Sequence, residues 1–210
     1  MKKAAGLIFI FLFFSSGCAV FKTAFPDDNA RIVEDLESRT RTIRSYALDH
    51  TIQGKVAKRM YFQFEREGKP FFRFRSDHIR SGKRYVYIYN ADGSHDYHYF
   101  PDERTAYRCP TDGGWNPGNY DKARDAHFNY QGAVVTGEDV IDGRSCYLLK
   151  FQNHWIAVWK EKGITLASMN RPENKENAVF YENIEFDLAD DLFAVPDGVT
   201  IIDRKDGFFK

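Results

Sequence analysis

Residues 58–66 have the sequence KRMYFQFER, in which apolar and polar side chains alternate. Successive side chains of an extended strand point to opposite faces, so Met60, Phe62 and Phe64 share one face. Aromatic side chains also suit the pleated, half-buried surface of a sheet. The segment therefore predicts a β-strand with one face against an apolar interior.

The same two-residue period continues outward from this segment, beginning at Ser45, and turns interrupt it at short intervals. Gly54, Gly68, Gly82 and Gly93 stand at positions typical of hairpin turns. We predict further strands at residues 71–75, 84–90, 95–100, 133–140, 145–152, 155–160, 165–170, 178–188 and 200–202. The pattern indicates a mainly β (α+β) fold built on an antiparallel meander.

Helices are predicted at two places. Ile32, Val33 and Leu36 recur at near-helical spacing after Asp28 and Asn29, either of which can cap the first turn. A second, short helix is predicted near residues 120–128, after the irregular segment at 110–119. The length of the chain suits a single domain, which we place at residues 30–210.

The first residues predict export from the cytoplasm. Lys2 and Lys3 precede an apolar run at residues 4–14 and the sequence Ser-Ser-Gly-Cys at 15–18. A charged start, about a dozen apolar residues and small residues at a cleavage point are typical of a signal peptide. The run is shorter than the roughly 20 residues that span a bilayer. We therefore predict a signal peptide at residues 1–17.

The sequence around Cys18 resembles the lipobox of bacterial lipoproteins, although Ser15 replaces the usual leucine. The resemblance implies that Cys18 carries fatty acyl groups such as palmitate, and that residues 18–29 are an acylated N-terminus and tether. In enterobacterial lipoproteins the residue after the acylated cysteine is a sorting signal. By resemblance to these signals, Ala19 implies that the protein lies on the periplasmic face of the outer membrane. The alternative is a secreted protein cut near Gly17, with Cys18 as a stray thiol.

The charge balance argues against a nucleic-acid partner. The sequence has 30 basic and 30 acidic side chains, and removal of residues 1–17 takes away Lys2 and Lys3 and no acids. The mature chain then has a net charge near −2. Binding to nucleic-acid phosphates needs a basic excess that displaces counterions, and this chain has none.

Two cysteines, Cys109 and Cys146, remain once Cys18 is acylated. In an oxidising compartment two such cysteines most often pair, so we predict a disulfide between them. Closing a loop of this length would stabilise the fold by roughly 4 kcal/mol in the chain-entropy model. The alternative is a pair of buried thiols.

The motifs predict no catalysis, metal site or cofactor. His95 and His98 are close in sequence, but residues three apart on a strand point to opposite faces. Residues 90–93 lack the later glutamate of a calcium loop and carry the Asp-Gly of a hairpin turn. Signatures of serine hydrolases, zinc proteases and phosphate-binding loops are absent from the sequence. We expect a protein that is not an enzyme.

The C-terminal half carries a recognisable pattern of strands. It comprises residues 155–160 (WIAVWK), 165–168 (TLAS), 181–184 (YENI) and 192–199 (LFAVPDGV). This pattern resembles the superfamily of periplasmic lipoprotein-sorting proteins, LolA and LolB, with their lipoprotein relatives. The resemblance covers most of the mature chain.

The resemblance implies an unclosed β-barrel, a single curved antiparallel sheet with an N-terminal helix and short helices or a loop over its concave side. Such a sheet cannot fill its own interior unless a helix or a ligand enters it. The candidate lining residues of the resulting cavity are Met60, Phe62, Phe64, Phe72, Phe74, Val86, Ile88, Trp155 and Trp159. For the two tryptophans the sequence leaves core packing open as the alternative.

These features together lead us to expect a membrane-anchored lipoprotein of the cell envelope. It would bind a lipid or a lipoprotein acyl chain in its cavity and take part in envelope trafficking. The alternative is an envelope scaffold or regulatory module of the same fold that binds a protein partner. A hydrolase would need a nucleophile and a base, and the residue spacing singles out no such pair.

Overall fold

The computed structural model describes residues 26–111 and 117–205, and twelve strands in this part of the chain form one sheet. The strands are β1 (Ser45–Ile52), β2 (Lys55–Arg66), β3 (Lys69–Arg80), β4 (Lys83–Tyr89), β5 (His95–Phe100), β6 (Thr105–Pro110), β7 (Val134–Ile141), β8 (Arg144–Phe151), β9 (His154–Trp159), β10 (Thr165–Met169), β11 (Val179–Phe186) and β12 (Thr200–Asp203).

The sheet joins two meanders. Strands β1 to β6 follow one another across one half, and β7 to β11 follow one another across the other. The two halves meet where β1 pairs antiparallel with β11. At one edge β12 runs parallel to β6, and β7 forms the other edge. Within residues 26–111 and 117–205 these two edges do not pair with each other, so the barrel is unclosed and the predicted fold class is confirmed.

The helix α1 (Pro26–Thr40) packs on β7, β8 and β9 through Leu36, which is fully buried beside Leu149. Asn29 lies within this helix. Its amide donates to the carbonyl of Ala133 at 3.0 Å, and its side-chain oxygen accepts from the backbone N–H of Val135 at 2.6 Å. The last residues of the predicted tether are therefore helical, because Asn29 ties the first turn to the start of β7.

The helix α2 (Pro117–Phe128) lies over the face of the sheet that we call concave. Arg124 attaches it to the end of α1, where its guanidinium donates to the carbonyl of Thr40 at 2.6 Å. The same guanidinium lies 4.9 Å from the ring centroid of Phe64. Carbonyls at a helix C-terminus lack partners within the helix, so Arg124 satisfies one of them while it positions α2.

On the opposite, convex face, the chain that follows β11 covers part of β3 and β4. A 3-10 turn at Asp190–Phe193 places Phe193 against Val86 and Ile88. Arg73, whose side chain is only 4% exposed, donates to Asp190 Oδ1 at 2.6 Å and stacks 4.5 Å from the Phe193 ring centroid. Burial of this charge requires such partners, so Arg73 fixes the segment on the sheet.

The predicted disulfide is wrong in this structure. Cys109 on β6 and Cys146 on β8 are both buried, and no disulfide joins them. Eight strands lie between β6 and β8 in the sheet, which places the two cysteines in different halves of the fold. The disulfide was predicted because two cysteines in an oxidising compartment usually pair. The sequence did not reveal that the folded chain holds these two cysteines far apart.

The predictions about the N-terminus fall outside the described residues. They concern the signal peptide at residues 1–17, the acylation of Cys18 and the sorting signal at Ala19. Within residues 26–111 and 117–205, no helix is both long enough and apolar enough to cross a membrane.

Candidate functional site

A cavity of about 690 Å³ lies between the concave face and α2. Four strands of one half of the sheet and four of the other contribute to its wall. Its lining residues are Tyr46, Leu48, Met60, Phe62, Phe72, Phe74, Tyr87, Tyr89, Ala126, His127, Phe128, Asn129, Tyr130, Phe151, His154, Ile156, Ile164, Thr165, Ser168 and Tyr181. Most of this surface is aromatic or aliphatic, which is typical of small-molecule sites.

The floor of the cavity follows from strand register. Tyr46, Phe62 and Phe74 lie opposite one another on β1, β2 and β3, so their side chains share the concave face. The ring centroids of Tyr46 and Phe62 are 4.8 Å apart, and those of Phe62 and Phe74 are 5.1 Å apart. A second row, one step along the strands, contains Leu48 and Met60. Contacts between neighbouring aromatic rings thus give the floor a fixed shape.

The roof of the cavity comes from α2, where His127 is inserted among phenylalanines. Its ring centroid lies 4.5 Å from that of Phe62 and 6.5 Å from that of Phe72. Burial lowers the pKa of His127 to about 4, because the apolar surroundings disfavour the imidazolium. The imidazole is therefore neutral at physiological pH, and it offers a polar ring nitrogen among the phenylalanine side chains.

Two side-chain contacts between β4 and β5 lie at the edge of the cavity. Tyr87 donates to Asp96 Oδ2 at 3.0 Å, and the Tyr85 hydroxyl lies 2.5 Å from Nδ1 of the buried His98. Burial, with Arg80 nearby, lowers the pKa of His98 to about 4. On the other side, burial raises the pKa of Tyr46 above its ordinary value. At physiological pH, His127 and His98 are therefore neutral imidazoles and Tyr46 keeps its proton.

Ser168 and His154 also lie in the cavity wall, with Ser168 Oγ 3.1 Å from His154 Nε2. This is the spacing of a nucleophile and a general base. Among the described residues, no carboxylate bonds the second ring nitrogen of His154, which a catalytic triad would require to orient the ring. The arrangement is a cross-strand hydrogen bond rather than a complete catalytic group.

The structure brings four of the nine candidate lining residues to the cavity: Met60, Phe62, Phe72 and Phe74. Phe64 is only 1% exposed and lies under α2, where it packs against Phe128 with ring centroids 5.3 Å apart. It belongs to the core beneath the cavity.

The other four candidates do not line the cavity. Val86 and Ile88 lie on the convex face with Phe193, and the tyrosines that alternate with them face the concave side. Trp155 and Trp159 lie on either side of Ile156, which lines the cavity, so strand alternation turns them to the other face of β9. Trp159 packs against Phe186, with ring centroids 6.4 Å apart.

Several lining residues were not anticipated from the sequence. Tyr46 and Leu48 continue the alternation of β1, and register with β2 would have identified them. Tyr87 and Tyr89 alternate with apolar Val86 and Ile88, so both faces of β4 were equally plausible. Nothing in the sequence indicated that His127 would line the cavity, because its position depends on how α2 packs against the sheet.

Among the described residues, no group of three or more His, Cys, Asp or Glu side chains could hold a metal ion. His95 and His98 lie apart, as their spacing requires. His95 contacts Asp92 in the turn after β4, with Nδ1 3.0 Å from a carboxylate oxygen, whereas His98 is buried beside Tyr85. Asp92 also accepts from the backbone N–H of Ser94 at 2.9 Å, which is the bonding of a turn.

The fold and the cavity define an unclosed β-barrel with an apolar cavity under a helix. No protein-family model matches the sequence, and no curated protein matches it. Among solved structures, an uncharacterized conserved protein from Thermus thermophilus is similar with a TM-score of 0.47 and 9% identity, over 83% of this chain and 98% of that chain.

Two further solved structures are similar. A DUF1329 family protein from Desulfovibrio piger has a TM-score of 0.34 and 14% identity, over 78% of this chain and 96% of that chain. The MucA/MucB complex of Pseudomonas aeruginosa has a TM-score of 0.45 and 14% identity, over 83% of this chain and 63% of that chain.

Proposed function

We propose that this chain is a non-enzymatic binding protein of the bacterial envelope that holds an acyl chain in the cavity under α2. The observation that carries the proposal is the cavity itself, about 690 Å³ in volume and lined mainly by aromatic and aliphatic side chains. This volume lies within the roughly 300–1,000 Å³ range of small-molecule sites.

The physical driving force is removal of hydrocarbon from water. Each buried methylene contributes about 0.8 kcal/mol, so ten methylenes contribute roughly 8 kcal/mol before the costs of immobilisation. The aromatic floor lowers those costs, because its rings are already packed against one another. A flexible chain would enter between this floor and the residues of α2.

The second part of the proposal concerns location. The lipobox-like sequence at Cys18 supports acylation at that residue, and two or three acyl chains attach a protein to a membrane durably, whereas one chain alone is marginal. A protein that has both a membrane anchor and a cavity for acyl chains is suited to lipid or lipoprotein trafficking in the envelope. The Ala19 position supports the periplasmic face of the outer membrane.

The cavity is tested with the otherwise intact chain carrying Cys18→Ser, which removes the protein's own acyl groups as competitors. Binding is followed through the fluorescence of N-phenyl-1-naphthylamine, an uncharged apolar probe, and its displacement by long-chain lipids. Ala126 lies on α2 at the cavity, and Ala126→Trp should place an indole in that space and weaken probe binding about tenfold. Ser168→Trp should do the same from the sheet side.

The matched control is Lys122→Trp, which puts the same side chain on an exposed position of α2. It should leave probe affinity unchanged. Absence of probe binding by the parent chain would refute the proposal, and so would equal affinities for the Ala126→Trp, Ser168→Trp and Lys122→Trp variants.

The anchor is tested by intact-protein mass spectrometry of the wild-type chain and the Cys18→Ser chain expressed in bacteria. We expect the wild-type product to begin at Cys18 and to carry fatty acyl groups, and the variant to lack them. A wild-type product without fatty acyl groups would remove the anchoring part of the proposal and leave the cavity part standing.

A second candidate function, an envelope scaffold, is favoured by one observation at the sheet edge. β12 is exposed along its whole length, and Ile201 and Ile202 are 46% and 41% exposed. An exposed edge strand can accept a strand of a partner protein. Photo-crosslinking from Ile201 in cells separates the candidates, because a scaffold predicts one reproducible protein partner and an acyl-chain binder predicts cross-links from cavity positions to lipid.

A further inference from the structure

The cavity floor ends in a row of basic and imidazole side chains. His50, Lys58 and His78 lie opposite one another on β1, β2 and β3, two residues beyond the row that contains Leu48 and Met60. Residues two apart on a strand share a face and are separated by about 7 Å. The three side chains, which we call the basic row, therefore continue the concave face at one end of the apolar floor.

The basic row lies between the buried floor and solvent. Its three members are half-buried, whereas Arg80, the next residue on the same face of β3, is exposed. The basic row adjoins the cavity, because the ring centroid of His50 lies 5.7 Å from that of Tyr181, which lines the cavity. A molecule that filled the cavity and extended along these strands would meet the basic row first.

Two groups of the basic row are available to bind an anion, the ammonium of Lys58 and Nδ1 of His50. Lys58 makes no ion pair with any described residue, and Nδ1 of His50 is buried without a hydrogen-bond partner. The pKa of His50 is lowered by burial and by the charge of Lys58, and the pKa of His78 is lowered by burial, by Lys58 and by Arg80. The ammonium of Lys58 therefore acts on both imidazoles.

The acidic neighbours do not neutralise the basic row. Asp49 and Asp77 precede His50 and His78 in their strands, so their carboxylates point to the convex face. There Asp49 pairs with Arg59 at 2.9 Å and Asp77 with Arg75 at 2.6 Å. The concave side of these strands is left with the positive charge of Lys58.

We propose that the cavity takes amphiphiles with an anionic head, carboxylate or phosphate, whose head binds Lys58, His50 and His78 while the acyl tail lies on the aromatic floor. This inference rests on the proposed acyl-chain function and specifies the class of ligand. Lys58 supplies a charge-assisted hydrogen bond, and the neutral imidazoles donate N–H groups to the same head.

The experiment compares ligands that share one tail. Hexadecanoic acid and hexadecanol are each used to displace N-phenyl-1-naphthylamine from the Cys18→Ser chain at pH 8, below the concentrations at which they aggregate. We expect the acid to bind at least about fivefold more tightly than the alcohol, since a hydrogen bond to a charged group favours the anion. Palmitoyl lysophosphatidic acid forms the second arm and distinguishes a phosphate head from a carboxylate head.

Two variants each remove one lysine charge, and a third keeps the charge at residue 58. Lys58→Met keeps the aliphatic stem and should abolish the preference for the acid while the affinity for hexadecanol stays the same. Lys58→Arg should retain the preference. Lys69→Met removes an exposed lysine at the other end of the β2–β3 hairpin and should behave like the parent chain.

The outcomes separate this inference from the function on which it rests. Equal affinities for acid and alcohol in the parent chain, or a preference that survives Lys58→Met, would overturn the inference and leave acyl-chain binding intact. Failure of both ligands to displace the probe would overturn the acyl-chain function as well.

Discussion

Replacing His127 with phenylalanine should reduce the loss of stability that the protein suffers on acidification. The folded-state pKa of this histidine is about 4, because the ring is buried among phenylalanines, whereas the pKa of a histidine in an unfolded chain is about 6.5. Between these values the unfolded state binds the proton and the folded state does not. Stability is therefore lost as pH falls from about 6.5 toward 4.

The size of this effect follows from the difference in pKa. A difference of roughly 2.5 units at ~1.4 kcal/mol per unit gives about 3 kcal/mol as the full contribution of His127. The phenylalanine of the variant would occupy the same position against Phe62 and Phe72 without titrating. The buried His98, whose pKa is also near 4, is unchanged in the variant, so its contribution cancels in the difference.

The assay is urea unfolding of the wild-type and His127→Phe chains at a series of pH values between 7 and 4. The free-energy difference between the two chains should grow in favour of the variant by about 3 kcal/mol over this range. Lys122→Phe, on an exposed position of the same helix, should give a curve parallel to that of the wild type. Parallel curves for His127→Phe and the wild type would show that the imidazole is not buried as described.

Three further predictions test the docking of the helices and the proposal that the protein is not an enzyme. Gly163→Ala should destabilise the fold by about 3 kcal/mol or more in urea unfolding, because φ is +70° there and a Cβ would lie 2.3 Å from the carbonyl oxygen of Leu36. Gly143→Ala, at φ +73° with open space around it, should cost only about 1 kcal/mol. Arg124→Met should lower the free energy of unfolding by about 2 kcal/mol through loss of the bond to Thr40, and hydrogen exchange should show faster opening of α2 than of β2. Ser168→Ala and the wild type should hydrolyse p-nitrophenyl esters no faster than buffer does, and a Ser168-dependent rate would contradict the non-enzymatic proposal.

The sequence was most informative where local periodicity and turn chemistry determine structure. The alternation of β2 and the glycine turns placed the hairpins, and β5 was predicted at His95–Phe100, where the structure has it. β6 was missed, since the segment Thr105–Pro110 is short and ends in proline. Its partners on both sides, β5 and β12, provide the pairing that its own composition does not indicate.

The candidate site was harder to predict, because a strand pattern gives two faces and does not say which one is concave. In β4 both faces are apolar, and only the docking of Phe193 on one side and α2 on the other separates Ile88 from Tyr87. In β9 the cavity lining was assigned to Trp155 and Trp159 because these are the largest apolar side chains of the strand. The smaller Ile156, on the other face, lines the cavity instead. These choices depend on contacts between residues far apart in the chain.

The open seam between β7 and β12 bears on how large a guest the protein can accept. In a closed barrel, strand number and shear fix the radius, so widening the interior means breaking a ladder of hydrogen bonds. Here no ladder crosses the seam in the described part of the chain, and the sheet can change its curvature while all its strand pairs stay intact. The range of tail lengths that fits is then governed by the bending stiffness of the sheet and by the bonds through which Arg124 holds α2 in place.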